Sequence, residues 1–368
     1  ALLYTAELTG AAAPPAPALQ YADYTLWQAD ALAADERRLL AHWRGTLAGA
    51  PAETPLPLDR PRAAEVDQRG DSVEFTVPAD VHRAASRLAA DGGATLFMAL
   101  QAAFAALLTA HGAGTDLPLG TLLSGRDEDG LRDLPGLVAN TVVLRTDTSG
   151  DPTFRELLAR VRDMDLAAFE HGELPFERLV DELAPERSLS RHPLFQVAVI
   201  HQNAPGHTVA FGDVPADVQL VETRGAKFDL TLAVVEEAGR DGLRAALNYR
   251  TALFDRTTVA ALGRRFTALL DWLCRHPGRP IGEAPSTDAE DRGALARWAA
   301  EPMRAVPATT LPELVRRQCA HTPSAEALRD GPRRWSYAEF DTEADRIAAL
   351  LAERGVGRGH VVAVALPR

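Results

Sequence analysis

The sequence predicts an α+β sandwich, with helices packed on a mixed sheet, followed by a smaller, separate α/β element. Three features carry that expectation. Short runs that alternate apolar and polar residues, such as SVEFTV at Ser72–Val77, are interleaved with helical repeats in an order that needs both hairpins and crossovers. The helix expected from Thr95 to about Ala110 is apolar on nearly every side, the pattern of an element buried at the centre of a fold. A Pro/Gly/acidic stretch over Pro277–Pro307 then separates this dense region from the smaller C-terminal element.

Taken in order, the first residues read as the end of a helix, and the Ala/Pro loop Ala11–Ala18 leads into YADYTLWQ at Tyr21–Gln28. A helix is expected from about Asp35, with Leu39, Leu40, Trp43 and Leu47 on one face. The Pro-rich, charged stretch Pro51–Gly70 reads as a crossing between lobes. SVEFTV is a strand, and a helix follows over about Ala79–Ala90. Thr95 can cap the apolar helix. LPLGTLLSG (Leu117–Gly125) and LVANTVVLRTD (Leu137–Asp147) read as strands, and Thr153 with Glu156 forms a capping box for a helix with Phe154, Leu157, Leu158 and Val161 inward.

The run His171–Val197, HGELPFERLVDELAPERSLSRHPLFQV, has its punctuation in fixed places. Gly172 suits a helix C-terminus and Pro175 the first turn of the next helix, in which Leu179, Val180 and Leu183 recur at helical spacing. Glu177, Arg178, Asp181 and Glu182 face water, Pro185 ends the helix, and Arg187–His192 form a charged loop. LFQVAVI (Leu194–Ile200) reads as a core strand. Further strands are expected near Val218, over Phe228–Val234 and over Leu243–Tyr249. A helix over Arg256–His276 closes the unit, with Val259, Leu262, Phe266, Leu269 and Leu273 inward. The last element starts near Thr310 as helix, hairpin (RRWSYAEF), helix and a terminal strand, VVAVAL. Both ends read as cut, so the chain is expected to be a fragment of a longer protein.

At 368 residues the chain exceeds one ordinary domain, and its 46% hydrophobic and 24% charged content is that of a globular protein. A net charge of −12 argues against a nucleic-acid partner, because phosphate backbones are bound by clustered cations. Two distant cysteines, Cys274 and Cys319, suit a reducing, cytoplasmic setting. The sequence has no metal-ligand spacing. The longest apolar helix is too short to cross a membrane and is interrupted by Gln101, and the opening residues lack the basic leader of a signal peptide.

The chemistry-bearing residues are few. None of the ten histidines earns a catalytic assignment. His171 sits at a helix end, where an imidazolium interacts favourably with the dipole. His201 ends a core strand and reads first as a hydrogen-bonded core histidine, although it could face a cleft. Tyr21, Tyr24 and Trp27 fall three apart and share a face if helical, while Asp23 and the Trp27 indole are an acceptor and a donor that could line a channel. Asn140 is an amide at the head of a buried strand. Arg126 follows a strand through Ser124 and Gly125, where a guanidinium could hold a carboxylate or a carrier phosphate. For both, a structural role is the alternative reading.

YADYTLWQ, LPLDRPR (Leu56–Arg62), ATLFMALQAAFAALL, LPLGTLLSGR, LPGLVANTVVLR and HGELPFERLV followed by SRHPLFQV resemble, in this order, the motifs of condensation domains of nonribosomal peptide synthetases. The resemblance covers about residues 1–280. LPELVRRQCAHTPSAEAL, WSYAEF and GVGRGHVVAVALPR resemble the start of an adenylation domain. The boundaries expected are 1–65 for the end of the first condensation lobe and crossover, 66–280 for the second lobe, 281–308 for a linker and 309–368 for the start of the adenylation domain.

The resemblance implies a chloramphenicol-acetyltransferase-like fold of two lobes with a tunnel between them. It implies amide-bond formation between an acyl or peptidyl thioester and an aminoacyl thioester, both held on phosphopantetheine arms. The partners implied are upstream and downstream peptidyl carrier domains and the chain's own adenylation domain. ATP and magnesium would serve only the adenylation part, whose phosphate loop and lysine lie outside the similarity. No catalytic residue is carried over, since the family's HHxxxDG is absent and is expected upstream of Ala1. Asp23 and Trp27 match the family's D-x-x-x-W, Asn140 its G-x-x-x-N-T asparagine and Arg126 the arginine closing the preceding strand, all as tunnel or site support. Leu137, Val138 and Ala139 stand where the family usually has aromatic residues. Two rival readings are a non-catalytic condensation-like domain that recruits partners, which the adenylation start disfavours, and a cyclising or epimerising relative.

Overall fold

The computed structural model describes residues 2–13, 15–126, 130–132, 134–183, 188–202, 209–212, 214–216, 224–236, 241–300 and 309–365. They fall into two compact units, 1–296 and 297–368. In the first, α1 (Leu2–Thr9) and α2 (Tyr21–Leu47) precede β1 (Gly70–Val77), α3 (Ala79–Asp91), α4 (Leu96–Ala110), β2 (Asp116–Leu123) and β3 (Asn140–Asp147). Next come α5 (Phe154–Glu170), α6 (Phe176–Leu183), β4 (Val197–Gln202), the short pair β5 (Val209–Phe211) and β6 (Val214–Ala216), β7 (Leu230–Val235), β8 (Leu243–Arg250) and α7 (Arg256–Arg275).

Six strands form one mixed sheet in the order β1-β8-β7-β4-β2-β3. β4 runs parallel to both β2 and β7, and the outer pairs are antiparallel. Side-chain alternation divides the core. Val197 and Val199 of β4 join Leu117, Leu119, Leu230 and Leu232 under the layer made by α3, α4, α5 and α7. Ala198, one residue out of phase, points to the opposite face with Val143, Phe195, Leu39 and Trp43, where α2 and α6 pack. Every residue of α4 from Met98 to Leu108 is buried, as its all-round apolar pattern requires. Thr95 caps it, accepting from Met98 N, and Thr153 caps α5 by accepting from Glu156 N.

Several expectations are corrected. The second helix begins at Tyr21 rather than Asp35, because Gln20 and Asp23 form a capping box that starts it fourteen residues earlier than the apolar stripe indicates. The strand expected from Leu194 begins at Val197. Leu194 adopts φ 64°, a left-handed conformation that a strand cannot hold. The stretch expected as a linker carries a 3-10 turn (Ile281–Glu283) and α8 (Ala289–Ala299), on which Trp298 is exposed. The strand expected near Val218 and the helix stop at Pro185 lie outside the described residues.

The crossover stretch is anchored by charge. Asp229, fully buried, receives Arg62 at 2.6 Å and Arg250 at 2.7 Å, and Arg62 also donates to Glu53. A buried carboxylate is tolerable only when paired in this way.

The second unit contains α9 (Leu311–His321), an antiparallel hairpin of β9 (Glu326–Asp330) and β10 (Arg333–Ser336), and α10 (Tyr337–Glu353). Thr310 and Ser336 cap the two helices. The expected terminal strand is absent over residues 361–365, where no neighbouring strand among the described residues offers it a ladder.

Candidate functional site

Asp23 and Trp27 come together in the first turns of α2. With Leu19, Tyr24, Gly130 and Leu131 they line a cavity of about 440 Å³. Helical spacing stacks Tyr21, Tyr24 and Trp27 into an aromatic ladder with ring centroids 5.8 and 5.9 Å apart. Burial, and then the neighbouring Tyr21, push the Tyr24 phenol up from its ordinary range. Trp27 leaves about half its surface exposed, so this large apolar ring is not spent on the core. Asp23 does two jobs, since its Oδ2 accepts from Gln20 N at 2.9 Å while its side chain lines the cavity.

Arg126 organises the opposite wall. Its guanidinium donates to the carbonyls of Leu131 (2.7 Å), Leu134 (2.9 Å) and Gly136 (3.0 Å). These bonds fold the loop before β3 around one cation. Tyr21 closes the loop by donating to Leu137 O at 2.8 Å. Glycine is required at position 136 by contact, because a Cβ there would lie 2.2 Å from Tyr21 Cδ2. Arg126 is therefore engaged with main chain in this structure, and a carboxylate or phosphate would have to compete with those carbonyls.

Asn140 joins β3 to the start of α6. Its Nδ2 donates to Gly172 O (2.8 Å) and Leu174 O (2.7 Å), and its Oδ1 accepts from Phe176 N (3.1 Å) and Thr141 N (2.9 Å). Both amide hydrogens and both lone pairs are used. The Phe176 bond satisfies one orphan donor of the helix N-terminus. The asparagine thus fixes the corner made by Gly172–Phe176, which explains an amide at the head of a buried strand.

His171 belongs to the same frame. Its Nδ1 contacts Ala167 O at 2.8 Å and its Nε2 contacts Arg38 Nη1 at 2.8 Å. A guanidinium only donates, so Nε2 accepts and Nδ1 carries the hydrogen. This replaces the imidazolium-and-dipole expectation: the ring is an acceptor for a cation. It stacks on His42 at 3.8 Å, and its carbonyl accepts from Trp43 Nε1. Burial, then His171 and Arg38, hold His42 below the ordinary histidine range. Arg178 pairs with Glu36 and Arg44 with Glu182, pinning α6 to α2.

Sequence reasoning missed the buried trio of Gln101, Thr146 and Asp165, whose only signal was a pair of polar residues on otherwise apolar faces. It also missed Asp229 as the anchor of Arg62 and Arg250, although a carboxylate within the stretch expected as a core strand, Phe228–Val234, was visible. Among the described residues no group of three or more His, Cys, Asp or Glu is placed to hold a metal ion, and no single helix is long and apolar enough to cross a membrane.

A six-stranded mixed sheet flanked by helices is an α/β sandwich, the layered architecture that the resemblance to condensation domains implies. Residues 1–296 match the condensation domain family and residues 315–368 the AMP-binding enzyme family. The chain belongs to the condensation domain family. It is 40% identical over 376 residues to a dimodular nonribosomal peptide synthase of Bacillus subtilis (strain 168), covering 99% of this chain and 16% of that protein. It is 38% identical to phosphinothricin tripeptide synthetase PhsB of Streptomyces viridochromogenes, covering 100% of this chain and 31% of that one. The X-domain from teicoplanin biosynthesis has a similar structure, at 36% identity and TM-score 0.70, over 77% of this chain and 66% of that one. A four-domain nonribosomal peptide synthetase bound to AMP and glycine shares the fold at TM-score 0.75 and 24% identity, over 88% of this chain and 26% of that one.

Proposed function

We propose that this chain is part of a modular nonribosomal peptide synthetase and contributes to its amide-forming condensation step. The observation that carries the reading is the succession, in one chain, of a condensation domain over residues 1–296 and an AMP-binding segment over 315–368. That order suits an elongation module better than a recruiting or epimerising domain. In the reaction the amine of a downstream aminoacyl thioester attacks the carbonyl of an upstream acyl or peptidyl thioester. A C–N bond forms, the C–S bond breaks, the nitrogen loses a proton and the upstream phosphopantetheine leaves as a thiol.

Residues 1–65 are proposed as the end of the first lobe and crossover, 66–280 as the second lobe, 281–308 as linker and 309–368 as the start of an adenylation domain. Asp23 and Trp27 form tunnel wall, while Arg126 and Asn140 hold the loop and corner beside it. The phosphopantetheine arms come with the upstream and downstream carrier domains. ATP and magnesium enter with the adenylation domain, and no residue here is assigned to them. The free Cys274 and Cys319 support a reducing, cytoplasmic setting.

No HHxxxDG occurs in these 368 residues, so the segment alone is proposed to be inactive. The test loads the two carriers of the full synthetase with a donor acyl group and an acceptor amino acid, and tracks the downstream carrier by mass spectrometry. Transfer of the acyl group onto the acceptor amine is expected, and its absence with correctly loaded carriers refutes the reading. Amide formation by the isolated 368-residue segment refutes the second claim.

A further inference from the structure

Two imidazoles lie face to face at the His171 corner, and the roles above leave their titration unused. The rings of His171 and His42 are 3.8 Å apart and within 9° of parallel, both half-buried. Arg38 Nη1 donates to His171 Nε2 at 2.8 Å, while its Nε and Nη2 donate to Asp35 Oδ2 at 2.9 and 2.6 Å. The carboxylate thus fixes the guanidinium and aims Nη1 at the histidine. One turn further along α2, His42 covers the ring, and Trp43 Nε1 donates to His171 O at 3.0 Å. Arg38, His42 and Trp43 seat successive turns of α2 on a single residue.

The neighbours decide what a proton does here. On α2 the charged groups are Asp35 and Arg38; at the end of α5 and the corner after it, Glu170 acts on His42 and Arg38, and Glu173 on Arg38. On α6, Arg178 interacts with Glu36, Asp181 and Glu182 instead. The carboxylates favour an imidazolium. Burial, then His171 and Arg38, outweigh Glu170 and hold His42 below the ordinary histidine range. The unfolded chain takes up that proton near 6.5, before the folded chain does. The stabilisation from a neutral His42 is therefore whole above that value and is lost as pH falls below it. A proton on His171 acts in the same direction through geometry. An imidazolium has no lone pair to accept with, and its Nε2–H would point at a cation that Asp35 holds in place.

We propose that His171 and His42 form a protonation-sensitive joint that positions α2, and through it the Asp23–Trp27 wall. With both rings uncharged, the C-terminal half of α2 stays seated on the corner. Acidification breaks the Arg38–His171 bond, unseats that half and takes the wall out of register with the Arg126 loop. His171 is thus a positioning residue, acting through α2. The joint stands on these contacts alone, and its effect on turnover rests on the amide-forming reading above. A bond of the same kind runs from Arg265, held by Asp291, to His111 Nε2 at 3.1 Å. It has no second imidazole stacked on it among the described residues, and it serves as the comparison.

The test follows amide hydrogen exchange of α2 in the full synthetase by mass spectrometry at about pH 7.5 and about pH 5.5, corrected for intrinsic rates. In the wild type, protection over residues 38–47 is expected to fall about tenfold at the lower pH, the loss of one charge-assisted hydrogen bond. His171→Gln keeps an oxygen for Arg38 and cannot be charged, and Arg38→Gln keeps a donor but removes the cation. Each should flatten the response, whereas His111→Gln should not. All forms share the other titrating groups, Asp165 among them, so differences between forms isolate the joint. Arg38 is half-exposed, so R38Q keeps the test open if H171Q fails to fold. In the amide-forming assay both variants should keep a larger share of their turnover at the lower pH than the wild type does; equal shares refute the effect on the wall. Equal wild-type protection at the two pH values, a fall that survives both variants, or one that H111Q also flattens overturns the proposal. A wild type that loosens on acidification yet forms no amide at either pH supports the joint and refutes the amide-forming reading instead.

Discussion

Replacing Asp165 by Asn is expected to stabilise the first unit at about pH 8 and to change little at about pH 4. Asp165 lies on α5, fully buried. Gln101 Nε2 donates to its Oδ1 at 3.1 Å, while Asp165 Oδ2 and Gln101 Oε1 have no partner among the described residues. Burial outweighs the one hydrogen bond and pushes the carboxyl up to about 7, from 3.8 in an unstrained setting. Between those two values the folded chain holds a proton that the unfolded chain has released. Stability is therefore highest below the lower value, falls as pH rises through the window, and levels off above about 7. Roughly three pKa units at about 1.36 kcal/mol each set a ceiling of about 4 kcal/mol. Asparagine has no charge to bury and keeps an oxygen for Gln101 Nε2. Urea unfolding of both forms at about pH 4, 6 and 8 reads the effect, and their difference removes the other titrating groups. The gap should widen in favour of Asn as pH rises. A gap independent of pH, or a less stable D165N at about pH 8, refutes the reasoning.

Asn140→Ala removes three bonds between β3 and the Gly172–Phe176 corner, at about 1 kcal/mol each. Asn140→Asp should be worse, since it sets an oxygen against two carbonyls; urea midpoints that fail to fall in the order Asn, Ala, Asp would falsify the clamp. Gly120→Ala would place a Cβ 2.0 Å from Phe195 Cε2 and should cost about 1–3 kcal/mol. Phe195→Leu in the same chain should recover part of that loss, and strictly additive effects in the double-mutant cycle would contradict the contact. Trp27→Ala should lower stability by less than about 1 kcal/mol, given its exposure, while slowing condensation in the full synthetase; unchanged turnover would return Trp27 to packing alone.

The parts of this fold that depend on local chemistry were legible in the sequence. The caps at Thr95 and Thr153 and the apolar α4 are decided within a few residues, and they appear where their residues place them. The misplaced boundaries have other causes. The start of α2 is set by a Gln20–Asp23 box outside the apolar stripe, and the start of β4 by the φ 64° backbone at Leu194. For the candidate site, sequence could nominate Asp23, Trp27, Arg126 and Asn140 but not their partners. The carbonyls of Leu131 and Gly136 converge on Arg126, and those of Gly172 and Leu174 on Asn140, only once the chain has folded.

The run His171–Val197 and the cleft at Trp27 are mechanically connected, which explains why the most distinctive motif carries no chemistry of its own. At about 1.5 Å per residue the 27 residues of α2 span roughly 40 Å. The N-terminal turns carry Asp23 and Trp27. The C-terminal half is held by Trp43 donating to His171 O, by Arg38 on His171 Nε2, and by the Arg178–Glu36 and Arg44–Glu182 pairs. Exposed ion pairs contribute little each. The buried Trp43 and the fully used Asn140 amide therefore supply most of the positional stiffness. A helix fixed over one half and lightly packed over the other holds its first turns in register with the Arg126 loop while leaving the aromatic face open. The motif is thus the anchorage of the wall that the substrate is proposed to meet.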